Sequence, residues 1–164
     1  MHSKRYPASH YDDDLVLKVP ALLWAAMAFF VRHVLFLAVG FLPRIGDALS
    51  YLQGIVEPTY LIADVLAAPV LLVALRRKPG SPVWMRAIWY RGRVLLVGSA
   101  LTYLALWVAN LGLDHHWHLA ALDRSMIISL ALNMVFLTFV ATSPLVRDVF
   151  RDFPTTSGSG PGGK

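Results

Sequence analysis

The sequence predicts an all-α, polytopic membrane protein: a four-helix transmembrane bundle with both termini in the cytoplasm. Three observations carry that prediction. Apolar residues make up 57% of the 164 residues and charged residues only 15%. The apolar residues gather into four bands of about 20, the length that crosses a hydrocarbon core. The basic residues border these bands instead of forming one patch. A soluble domain of this size hides only about 70% of its chain's surface on folding, too little to shelter so apolar a composition. Backbone polar groups must be paired inside lipid, which leaves helices or barrel strands. The bands lack the period-2 alternation of barrel strands, so helices are expected.

Taken in order, residues 1–20 carry Lys4, Arg5 and Lys18 around the acidic run Asp12, Asp13 and Asp14. That run is either a solvated face or a contact for the basic middle loop. The first band is Ala21 to Leu42. It exceeds the 7–15 residues of a signal h-region, and no small-x-small site follows, so a retained helix is expected. Pro43 to Ile55 links it to the second band, Val56 to Leu75. Pro69 lies inside that band, where it deprives the Val65 carbonyl of its donor and can kink the helix. The second loop, Arg76 to Gly92, precedes the third band, Arg93 to Leu113. Ser81 and Pro82 suit a helix cap and first position, so this helix is expected to start as an interfacial segment. Asp114 to Arg124 leads to the fourth band, Ser125 to about Ser143. Pro144 cannot continue the ladder. A short amphipathic helix from Pro144 to Phe153, along the inner surface, is expected. Residues 1–153 thus form one domain, and the Gly/Ser/Thr/Pro-rich tail 154–164 is expected to be disordered.

Orientation follows from the positive-inside rule. The middle loop carries Arg76, Arg77, Lys78, Arg86 and Arg91, and the C-terminal segment Arg147, Arg151 and Lys164. The other two loops hold only Arg44 and Arg124. Trp84, Trp89 and Tyr90 suit an inner aromatic belt, and Trp117 an outer one. The net charge of +5 is better explained by anionic lipid than by nucleic acid, because it is spread along span borders. The chain has no cysteine, which excludes disulfides, thiolate metal sites and thiol catalysis.

Charges inside a span are costly and mark sites. Arg32 and Asp64 lie at similar depths, about 15 and 12 Å from the outer ends of the first two helices at 1.5 Å per residue. A bidentate Arg32–Asp64 pair would satisfy both. Asn133 lies at comparable depth on a face shared with Ser125 and Ser129, and Glu57 precedes Asp64 by seven residues. Ser99, Tyr103 and Asn110 share a face of the third helix. The cluster Arg32, Asp64, Asn133 and Glu57 is either an outward-opening pocket for an ion, proton or small ligand, or an interhelical clasp that fixes register. His33 adjoins Arg32 but points about 100° away on an ideal helix, which suggests a packed histidine. In the outer loop, His115 and His118 share a face if helical, and Asp114 is adjacent. They are candidate metal ligands, against the plainer reading of a solvated loop.

The segment Tyr11-Asp12-Asp13-Asp14-Leu15-Val16-Leu17-Lys18-Val19-Pro20, followed by Leu22-Leu23-Trp24 and Arg32, resembles the start of the YfeZ-like family of small bacterial inner-membrane proteins. The resemblance is specific over about the first 35 residues. It implies a multi-helix protein of the bacterial inner membrane and carries no assigned activity.

No phosphate-binding glycine loop, catalytic carboxylate pair or Ser/His/Asp arrangement is apparent. The leading expectation is therefore a non-enzymatic accessory or scaffold subunit without a cofactor. It would act in the lipid bilayer by association with other membrane proteins or itself. Small residues at Ala63/Ala67 and Ala105/Ala109 are spaced for close helix contact. The alternatives are a small transporter or ion/proton-coupled protein using Arg32 and Asp64, and a metal-handling protein using the histidine loop.

Overall fold

Ala, Leu, Trp, Met and Phe follow Pro20 without a polar interruption as far as Phe30, and a helix begins there because nothing competes for its backbone. A computed structural model describes residues 6–11, 16–40, 58–113 and 124–154. The helices are α1 (Ala21–Phe30), α2 (Arg32–Gly40), α3 (Leu61–Leu75), α4 (Val83–Leu113), α5 (Arg124–Thr142) and α6 (Pro144–Arg151). Short 3₁₀ turns cover Ala8–His10 and Pro58–Tyr60. Tyr11 and Leu17 form an isolated antiparallel bridge. Asp12, Asp13 and Asp14 lie outside the described residues, as do the outer histidine loop and the tail beyond Pro154.

Three helices are long and apolar enough to cross a membrane, or four if the bent pair α1–α2 counts as one span. Their apolar side chains point outward as well as inward: only 39%, 28% and 11% of the α3, α4 and α5 spans are buried. Val65 and Val94 are 65% and 72% exposed. An apolar exterior of that kind is consistent with membrane association.

The first band differs from the continuous helix expected over Ala21–Leu42. It breaks at Val31, and its halves are bent by 72°. Pro69, by contrast, sits inside an α3 that continues to Leu75. The third helix starts at Val83, so its 31 residues reach about 46 Å at 1.5 Å per residue. That is longer than a hydrocarbon core. Its start agrees with the Ser81-Pro82 signal, although the Ser81 hydroxyl donates to Lys78 O at 2.7 Å and serves the preceding turn. Gly80, at φ 81°, makes that turn possible.

The core lies mainly at the end of the bundle where α6 docks. Leu23, Met27, Val70, Val73, Trp89, Leu96 and Phe150 are buried together there. Ala63 and Ala67 are buried between helices as their spacing suggests, whereas Ala105 and Ala109 are exposed on α4. Trp89 is fully buried instead of lying in an interfacial belt; its indole N–H donates to Val149 O and Asp152 O, at 2.9 and 3.0 Å. Ser143 caps α6 by accepting from the Val146 N–H. The apolar face of α6, Val146, Val149 and Phe150, is buried in the protein. Pro144 has no N–H to give Val140 O. Arg93 supplies the missing donor, its Nε bonding Val140 O at 3.1 Å and a terminal nitrogen bonding Ala141 O.

Candidate functional site

The chain around the break, Phe29-Phe30-Val31-Arg32-His33, contains neither Gly nor Pro, so its cause is tertiary. Asp64, 1% exposed on α3, puts its carboxylate against the start of α2. Its Oδ2 accepts from the backbone N–H groups of His33 and Val34 at 2.8 and 3.0 Å. In an unbroken helix those two groups would donate to Phe29 and Phe30. The carboxylate takes them instead and acts as an N-cap supplied from another helix, where an anion also meets the positive end of the helix dipole. A side chain inserted into the ladder is a recognised origin of a sharp kink.

Arg32 completes the exchange. One guanidinium nitrogen donates to Phe29 O at 3.1 Å, a carbonyl that the break sets free. The other donates to Ser129 Oγ on α5 at 2.9 Å, and Ser129 in turn bonds the Tyr103 hydroxyl at 3.0 Å. The cation stacks between two rings, 4.2 Å from the centroid of Phe29 and 4.4 Å from that of Tyr103. Cation–π contacts gain strength when desolvated.

The anionic partner is not the one expected from depth. Asp64 Oδ1 is 3.0 Å from His33 Nδ1, and Arg32 makes no salt bridge to it. An ionised carboxylate only accepts, so Nδ1 carries the hydrogen of this bond. The remaining ring nitrogen, Nε2, makes no hydrogen bond among the described residues. Tyr60 and Tyr103 flank the imidazole, with centroids at 5.7 and 6.1 Å and nearly parallel planes. Helices α1–α2, α3, α4 and α5 thus each give a polar group to one cluster.

His33 was hidden because its predicted direction presumed a continuous helix. A basic Arg-His pair within an apolar band, opposite an Asp in the next band, was the available signal. Asn133 lies one turn beyond Ser129 and is fully buried, but neither atom of its amide has a hydrogen-bond partner. It therefore stands outside the bonded cluster. Glu57 lies outside the described residues, and so do Asp114, His115 and His118. Among the described residues no group of three metal-ligating side chains forms.

Comparison with known families decides membership. The sequence matches the family described as "Protein of unknown function (DUF2919)" over residues 6–152. The chain belongs to the DUF2919 family. That match covers the broken helix, both loops that flank α3 and the docked α6, far beyond the first 35 residues that carry the sequence resemblance. No curated protein and no solved structure matches this DUF2919 member.

Proposed function

We propose that this chain is a four-span protein of the bacterial inner membrane with both termini cytoplasmic. We further propose that it is a small ion- or proton-coupled membrane protein, working through His33 and Asp64. The α1–α2 pair is taken as one broken span. The observation that carries the reading is the carboxylate holding the N-terminus of α2 inside an apolar band. Broken helices whose half-helix ends face polar groups near mid-membrane are the usual architecture of transport sites. A charge there costs about 2.5–3.5 kcal/mol on insertion scales, which the three bonds to Asp64 offset only while the break persists. Protonating Asp64 would turn a charged acceptor into a weaker neutral one and loosen α2. A proton taken up at His33 Nε2 would instead tighten the pair, as imidazolium against carboxylate. The two protonation sites therefore pull the half-helix in opposite senses. The site is assigned binding and proton exchange, with no bond-making chemistry.

The test is proton flux into liposomes holding an entrapped pH dye, with thermal unfolding measured in parallel. Asp64→Asn keeps an acceptor for the α2 N–H groups, and His33→Gln keeps a donor for Asp64, so both variants are expected to retain the fold. A loss of flux of tenfold or more in each supports coupling. Full flux in both variants overturns it. Unfolding of Asp64→Asn with flux intact in His33→Gln would make the cluster a static clasp.

Association as an accessory subunit is the second reading. It is favoured by α5, of whose span only 11% is buried, and by the outward-facing Ala105 and Ala109. Recovery of a stoichiometric membrane partner in mild detergent supports it, and a strictly monomeric, partnerless particle opposes it.

A further inference from the structure

The strap before α1 crosses the end of the bundle, where α1 begins and α3 stops. Arg77 anchors it, donating to Leu17 O at 2.9 Å and to Asp152 O at 2.7 Å. The Arg77 guanidinium also lies over Trp89, 4.8 Å from the ring centroid. The strap is therefore held against both the N-terminus of the bundle and the end of α6. Beside it opens a cleft of about 300 Å³, lined by Val16, Lys18, Val19, Trp24, Ala74 and Arg77 among others. The polar charges in that lining are both cations, and no described residue lining it is acidic. Its other walls are an indole and aliphatic side chains.

We propose that this cleft binds the phosphate-bearing headgroup of an anionic phospholipid. A phosphodiester would meet the exposed Lys18 ammonium, with Arg77 adding positive charge from the strap it holds, and the upper acyl chains would run along Trp24, Val19 and Ala74. Three features select a lipid over free phosphate. The cleft sits where two apolar helices end, which is headgroup depth in a bilayer. Its walls mix cations with apolar side chains, matching a ligand with both characters. Trp24 has the amphipathic ring favoured at that interface. Basic pockets between membrane helices on the cytoplasmic side are common anionic-lipid sites. The volume is at the lower end of ordinary ligand sites, enough for a headgroup and not for a whole lipid. The inference rests on the membrane placement proposed above and is independent of the His33–Asp64 site.

Native mass spectrometry of the detergent-purified full chain, titrated with phosphatidylglycerol, phosphatidylcholine or inorganic phosphate, is the test. Lys18 is exposed and, among the described residues, only its backbone N–H is bonded, to His10 O, so Lys18→Gln is expected to leave the fold intact. Phosphatidylglycerol is expected to bind in one tight step, with Lys18→Gln weakening that step about fivefold, the loss expected per basic residue at an anionic surface. Lys18→Arg should restore it. Equal binding of phosphatidylcholine, or no change in Lys18→Gln, overturns the proposal. Inorganic phosphate binding as tightly as the lipid overturns the lipid as its source. A chain that stays in buffer without detergent removes the membrane placement as well, which separates that failure from the first.

Discussion

Arg93 sits on α4 opposite the last turn of α5, where Pro144 leaves the Val140 carbonyl without its helical donor. The guanidinium replaces a hydrogen bond that the backbone cannot make, and it places a cation at the negative end of a helix dipole. Removing the donors strands a buried acceptor, which costs about 1–3 kcal/mol. Arg93→Met should therefore lower the unfolding temperature in detergent, followed by circular dichroism. Arg93→Lys should recover part of the loss, since an ammonium can reach one carbonyl but not two. An unchanged transition in Arg93→Met would remove the cap. Asp64 does the same service for the opposite kind of orphan, two N–H groups at the start of α2. These repairs explain which residues sequence reasoning could find. Asp64 and Arg32 stand out because charge in an apolar band is conspicuous. Their partners do not, because an N–H freed by a break and a carbonyl freed by Pro144 are products of tertiary contact. The same reason hid His33 and moved Trp89 from the expected belt to the core.

Helices α4 and α6 meet at Gly92, and the contact shows how one missing side chain sets an element's position. A Cβ at Gly92 would run into the Phe150 ring and crowd Val70. Phe150 in turn packs on Trp89, with centroids 4.7 Å apart. Gly92→Ala should therefore push α6 off α4. Overpacking of this kind costs about 1–3 kcal/mol, which outweighs the roughly 0.5–1 kcal/mol that alanine returns over glycine in a helix interior. The readout is trypsin cleavage after Arg147 and Arg151, expected to speed up several-fold while α4 and α5 stay protected. Cleavage at the wild-type rate would mean that Phe150 simply rotates aside. At this scale the sequence was most informative. The α5 bounds agree with the fourth band to within a residue, and the Ser81-Pro82 and Pro144 signals each mark a helix start. These features are local: span length, capping and proline chemistry act over a few residues. The break at Val31 was illegible because its cause, Asp64, lies 33 positions away in the chain.

The whole molecule is asymmetric from end to end. One end holds the packed core, the docked α6, the strap and most of the basic residues that follow α3; the Arg32, His33 and Asp64 cluster lies away from it, within the spans. A bilayer couples to that asymmetry through charge, because Lys and Arg in short loops resist translocation. Arg76, Arg77 and Lys78 crowd one connection and Arg86 and Arg91 follow early in α4, which fixes that end as cytoplasmic in the proposed topology. The sign of that assignment can be tested cleanly because the chain has no cysteine. Single-cysteine variants Ser9→Cys, Lys78→Cys and Arg124→Cys each place one thiol at an exposed position. In intact inverted vesicles a membrane-impermeant maleimide should label Ser9→Cys and Lys78→Cys, and reach Arg124→Cys only after detergent. In spheroplasts the pattern should reverse. Labelling of Lys78→Cys and Arg124→Cys from the same side would make the number of spans between them even. It would overturn the proposed four-span topology.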